Sequence, residues 1–141
     1  MLSIRLLTSP ALFTTAALAS PLQTLEKRNV GGVRLCDQIN WQGDCWYGIL
    51  PINTCISLNS FAGKTLSFRP DDATECFLMQ DRCDVSNSYA DFTSASSGTN
   101  DLSVLPWIGK TESFICFTEA TTAREKIRVL ERIRVRIGVP A

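Results

Sequence analysis

The chain has 141 residues, 14 basic and 14 acidic side chains, six cysteines and no histidine. Its formal neutrality hides two blocks: residues 29–117 carry five basic residues against ten acidic ones, and residues 118–141 carry six against three. An acidic block argues against nucleic-acid binding, which needs clustered Lys and Arg, and the lack of histidine removes the commonest general base.

Residues 1–19 read as a signal peptide. Arg5 supplies the positive n-region, Leu6 to Leu18 is mostly apolar, and Ala17-Leu18-Ala19 is a small-residue cleavage signature placing the cut after Ala19. Thr8, Ser9, Pro10, Thr14 and Thr15 interrupt the apolar run, which is too short to span a bilayer. Residues 20–28 read as a short pro-segment ending in the dibasic pair Lys27-Arg28, which resembles the sites cut by kexin-type proteases of the fungal secretory pathway. The expected product is extracellular and soluble, without a transmembrane segment.

Residues 29–117 read as a single all-β domain. Val33–Cys36, Asp44–Leu50, Thr65–Arg69, Glu75–Gln80 and Ser113–Thr118 are short runs of β-branched and aromatic residues, separated by Gly, Pro, Asn, Asp and Ser. All six cysteines, Cys36, Cys45, Cys55, Cys76, Cys83 and Cys116, lie in this block. An even number in a short exported chain implies disulfides. There is no C-x-x-C pair for structural zinc, and a nucleophilic thiolate would have no histidine partner. The pairing is open; the preference is for bonds across two halves over bonds within one hairpin. No catalytic residue is assigned, and a noncatalytic protein is expected.

Two halves are suggested by a repeat. Gly63-Lys64-Thr65-Leu66-Ser67-Phe68 and Gly109-Lys110-Thr111-Glu112-Ser113-Phe114 share Gly-Lys-x-x-Ser-Phe. Upstream of the first lies Cys36-Asp37-Gln38-Ile39-Asn40-Trp41-Gln42-Gly43, and upstream of the second Leu78-Met79-Gln80-Asp81-Arg82-Cys83-Asp84-Val85. Two such units bury their apolar faces against each other. With Trp41, Gly43 and Ser67 in these positions, residues 33–117 resemble the βγ-crystallin superfamily, in the cysteine-rich form found in small secreted fungal proteins. The resemblance implies two Greek keys in one sandwich. In each, a folded loop needs a glycine at positive φ, an aromatic packs beneath it, and a serine hydroxyl satisfies its backbone. The second unit keeps Ser113 but has Cys83 for the aromatic and Val85 for the glycine.

The resemblance also implies a possible calcium site, in a run of Asn/Asp-Asn/Asp-x-x-Ser/Thr-Ser. The matching stretches, Ala62–Ser67 and Ile108–Ser113, begin without an acid or amide and carry Lys64 and Lys110. A lysine has no acceptor to offer a hard cation, so the expectation is no metal and no cofactor. Asp71 and Asp72 read as solvated turn residues.

Trp46 and Tyr47 are strand neighbours and must face opposite ways. Trp107, beside Pro106 and Gly109, is the candidate surface contact. Ser86 to Asn100 reads as a long loop or irregular strand. In the tail, Ala120–Glu131 reads as helical, whereas Arg132-Ile133-Arg134-Val135-Arg136-Ile137 alternates with strand periodicity. Residues 118–141 are left as a membrane-active extension, a disordered or weakly docked appendage, or a gene-model extension. The functional expectation is a monomeric interaction module with an extracellular protein, glycan or membrane target; the alternatives are an antimicrobial or killer-toxin-like protein and a protease inhibitor.

Overall fold

A computed structural model describes residues 30–97 and 99–138. The proposed leader and pro-segment, with Ala19, Lys27 and Arg28, lie outside the described residues. Among the described residues seven strands form two antiparallel sheets: β1 (Gly32–Cys36), β2 (Cys45–Ile49), β3 (Cys55–Ser57), β4 (Ser67–Pro70), β5 (Thr74–Met79), β6 (Tyr89–Thr93) and β7 (Ser113–Thr118). The first sheet has the order β2-β1-β4 and the second β3-β7-β5-β6.

The order records two Greek keys that exchange a strand. β3 follows β2 in the chain but leaves its sheet to pair with β7, Ser57 opposite Ser113. A reciprocal segment comes back: Phe68 N–H donates to Thr99 O, and Leu102 N–H to Leu66 O, both at 2.9 Å. Residues 99–102 thereby hydrogen-bond along β4, the edge that β3 vacates, without forming a regular strand.

Alternation sets the core. Val33 and Leu35 of β1, Phe68 of β4, Cys76 and Leu78 of β5, Phe92 of β6 and Phe114 and Cys116 of β7 point between the sheets and form one buried cluster. Phe68 is its centre, 5.8 Å from the Phe92 ring and 5.4 Å from Phe114. β5 and β7 are apolar on both faces, as strands buried on both sides must be. Met79, Ile115 and Phe117 point away from the sandwich yet are 0% exposed. They are covered by α1 (Ala123–Arg136), which packs Val129, Leu130 and Ile133 onto them.

α1 corrects the strand pattern of Arg132–Ile137. Thr122 and Glu125 form a capping box, and Lys126, Val129, Leu130 and Ile133 recur at helical spacing on the docked side. The alternating arginines therefore wind around a helix. The preference for disulfides across the halves is also corrected. Cys36–Cys45 closes the β1–β2 hairpin, Cys76–Cys116 bridges neighbouring strands β5 and β7, and only Cys55–Cys83 joins the two units. The first two pairs are directly opposite in register, with Cα atoms 4.1 and 4.0 Å apart, so the strand pairing itself brings the sulfurs together. Finally, β3 had no match among the sequence-assigned strands, and β6 emerges from the Ser/Thr-rich stretch.

Candidate functional site

The repeated serines hold equivalent loops. Ser67 Oγ accepts from Trp41 N–H at 3.3 Å and lies 2.7 Å from Gln38 O and 3.1 Å from Asn100 O, to which its single proton can be donated. Ser113 Oγ accepts from Cys83 N–H at 2.7 Å and donates to Asp81 O at 2.7 Å. Trp41 and Cys83 both adopt positive φ, 62° and 50°, a conformation that costs a residue with a side chain. Gly43 has φ +74°, and a Cβ there would lie 2.1 Å from Asp37 Oδ1. Trp41 lies over the Arg34 guanidinium, 5.5 Å from its ring centroid. Where the second unit has Cys83 for an aromatic, the Cys55–Cys83 bond occupies the place. These groups position backbone; both serine hydroxyls are engaged in that role.

The two Gly-Lys loops face one another. Gly63 N–H donates to Thr111 O at 2.8 Å, and a Cβ on Gly63 would lie 2.7 Å from Gly109 O. Thr65 and Thr111 are fully buried and donate to Phe61 O and Ile108 O. Their hydroxyl protons are turned inward, and the neighbouring side chains Lys64 and Lys110 bring positive charge, a donor set that does not suit a hard cation. All six cysteines are oxidised in the described residues, so no thiolate is present.

A groove opens between the sheets where β2 and β3 do not meet. It has a volume of about 230 Å³ and is lined by Leu35, Trp46, Ile56, Leu58, Phe61 and Phe114, with Ser57, Asn59 and Ser60 on its rim. Trp46 shares the inward face with its register partner Leu35 and is 38% exposed. Its ring lies along β2 over Gly48, where a Cβ would come within 2.5 Å of it. Tyr47 faces outward, beside Arg34, and donates to Asp71 Oδ2 at 2.7 Å. Asp71 is thus tied to the sheet, which the turn-residue reading did not anticipate. Trp107 is partly buried in the connection before β7, where its carbonyl accepts from Lys110 N–H. It is not among the residues that line the groove. The groove was not assigned from sequence; Gly48 two residues after Trp46 is the signal that could have found it.

No family model and no curated protein sequence matches the chain. Solved structures do. A domain described in connection with the evolution of the eye-lens βγ-crystallin fold matches at 22% identity, covering 63% of this chain and 87% of its own, with a TM-score of 0.51. Two weaker likenesses are a βγ-crystallin domain of Flavobacterium johnsoniae, at 20% identity over 64% of this chain and 98% of its own, TM-score 0.46, and the βγ-crystallin domain of Abundant Perithecial Protein from Neurospora crassa in its Ca2+-bound form, at 17% over 65% and 93%, TM-score 0.48. The first of these, together with the strand exchange and the paired serine-held loops, gives the chain a βγ-crystallin-like fold: two Greek keys in one disulfide-stabilised sandwich.

Proposed function

We infer that the chain is a noncatalytic binding module of the extracellular space, and that its ligand seat is the groove beneath Trp46. The observation that carries this is a half-open aromatic side chain over an apolar floor, with hydroxyl and amide groups at the rim. Such a surface suits the apolar face of a sugar ring or a protruding side chain. Its frame is held by disulfides on both sheets, so the seat is largely pre-formed. Oxidised cysteines and hydroxyls engaged in backbone bonds support a role without catalysis.

Three disulfides and the sequence of residues 1–28 support export, with cleavage after Ala19 and at Lys27-Arg28 in a fungal-type secretory route. Among the described residues no helix is long and apolar enough to cross a membrane. On this reading residues 118–138 belong to the working protein, because α1 covers Met79, Ile115 and Phe117. The module acts without calcium, given Lys64 and Lys110 in the two loops.

Screening the oxidised protein and its Trp46→Ala variant against glycan and peptide arrays tests the seat. The expected result is a ligand held by the parent and lost by the variant at unchanged thermal midpoint. Ligands that persist in Trp46→Ala, or array members that are chemically converted, would overturn it.

A further inference from the structure

The cations of α1 divide into two groups. Lys126 and Arg134 point toward the sandwich and meet its acids. Lys126 Nζ is 2.6 Å from Glu75 Oε2 and lies 5.8 and 5.9 Å from the Phe77 and Phe117 ring centroids, while Arg134 adds attraction to the Asp84 carboxylate, whose pKa is lowered chiefly by hydrogen bonds from Ser86. Arg124, Arg128, Arg132 and Arg136 are exposed and recur every fourth residue, a row roughly 18 Å long at the helical rise. Lys126 forms an ion pair with Glu75, whereas Arg124, Arg128, Arg132 and Arg136 form none with a carboxylate among the described residues. Two carboxylates share the helix with the row: Glu131 is exposed, and Glu125 is bonded to Thr122 N–H and its hydroxyl.

Like charges at i, i+4 weaken a helix, and docking onto the sandwich does not require these four. The row therefore fits an external anion. Its shape narrows the choice. α1 is the outermost layer on its side of the molecule, so the row is convex and suits a flat partner better than a cleft. Ile127 and Val135 lie on the same exposed surface, 56% and 79% accessible. Aliphatic side chains flanked by arginines match a charged layer with an apolar layer below it.

We propose that the outer face of α1 is a docking surface for anionic phospholipid membranes, used while the helix stays packed on the sandwich. The arginines meet lipid phosphates and carboxylates, and Ile127 and Val135 enter the headgroup boundary. The buried face of α1 holds Leu130 against Phe117 and Ile115, so adsorption is peripheral and does not permeabilise the bilayer. This surface is independent of the Trp46 groove.

Sedimentation of the oxidised protein with phosphatidylcholine vesicles, with and without phosphatidylserine, tests the proposal alongside dye leakage. Binding is expected only to the anionic vesicles, weakened by salt and without leakage. Arg128→Gln/Arg132→Gln should bind about 30-fold more weakly, with its circular-dichroism spectrum unchanged. Ile127→Ser/Val135→Ser should weaken vesicle binding but leave binding to heparin, a soluble polyanion, unaltered. Absence of binding, equal binding to neutral vesicles, indifference to the arginine changes, leakage at saturation, or tighter binding to heparin or RNA than to the anionic vesicles would each overturn it. Trp46→Ala should bind vesicles like the parent, so loss of the groove's ligand and loss of membrane binding are separately visible.

Discussion

The two sheets present very different outer faces. On β1, β2 and β4 the outward residues include Arg34, Tyr47, Ile49 and Arg69, which stay exposed, and one end is capped by the loop that carries Trp41. On β5 and β7 the outward residues include Phe77, Met79, Ile115 and Phe117, and they lie under α1. The backbone devices of the halves correspond closely, Ser67 with Ser113 and the loop at Trp41 with the loop at Cys83. A duplicated fold has thus kept its internal hydrogen bonds while its two surfaces diverged. Polar outward residues need only water, whereas apolar ones need a third layer.

The comparison is broken most severely by ending the chain after Thr118. That truncation uncovers the apolar cluster at Ile115 and Phe117, and a stability loss on the order of 5 kcal/mol is expected from the re-exposed side chains. Urea denaturation measures it, and binding of a hydrophobic dye should rise in the folded fraction. On the open face, Tyr47→Phe removes one hydrogen bond to Asp71 and should cost about 1 kcal/mol. Equal losses from the two changes would mean that α1 as a layer contributes no more than a single exposed hydrogen bond.

Next come the disulfides, whose loops differ in length. Cys76–Cys116 spans 40 residues and Cys36–Cys45 spans nine. Loop-closure entropy then predicts losses of about 4 kcal/mol for Cys76→Ala/Cys116→Ala and about 3 kcal/mol for Cys36→Ala/Cys45→Ala. Chemical denaturation of the two double variants ranks them. A reversed order would place native-state packing, not loop length, in control.

Smaller differences should separate the two serine-held loops. The bond from Cys83 N–H to Ser113 is buried, while that from Trp41 N–H to Ser67 is only partly so. Ser113→Ala leaves a buried donor without its partner and should cost about 2 kcal/mol, against about 1 kcal/mol for Ser67→Ala, where water can substitute. Thermal melts of the two variants check the asymmetry.

Much of this was legible in the chain. The strands β1, β2, β4, β5 and β7 announce themselves by β-branched and aromatic runs between turn residues, and Gly-Lys-x-x-Ser-Phe marks the repeat. β3 was hidden because three residues, Cys-Ile-Ser, are too few to display a period. In β6 only Phe92 is buried, and Tyr89 faces water, so nothing distinguishes it from the polar stretch around it. The groove depends on β2 and β3 failing to meet, a property of the exchange between halves that no local pattern contains. α1 was partly legible in Thr122-x-x-Glu125, but β-branched residues between arginines imitate a strand over six positions. The decisive clue lay elsewhere: Phe114-Ile115-Cys116-Phe117 is apolar in both parities, so a strand there has two faces to bury and some later segment must cover the second.

The subtlest expected effect concerns acid. Asp84 lies in the loop after β5, beside the covered face. The Ser86 hydroxyl and the Ser86 N–H, at 2.9 Å, stabilise its carboxylate, and the Arg134 guanidinium adds attraction; against the opposing effect of burial they hold its pKa below the ordinary 3.8. A carboxyl whose pKa is depressed by folding supports the native state fully above its unfolded value and stops doing so as pH falls through its folded value. Asp84 should therefore contribute at neutral pH and lose that contribution below about pH 4. Comparing thermal midpoints of the parent and Asp84→Asn between about pH 6 and about pH 2 reads it directly. The gap between the two proteins should narrow toward acid. In the chain ended after Thr118 the gap at neutral pH should be smaller but not abolished, since the Ser86 bonds remain and only the Arg134 attraction is removed, and the difference between the two chains should fade toward acid. A constant gap would show that the ionised form of Asp84 does not hold this edge of the covered face, leaving its apolar contacts with α1 to do so alone.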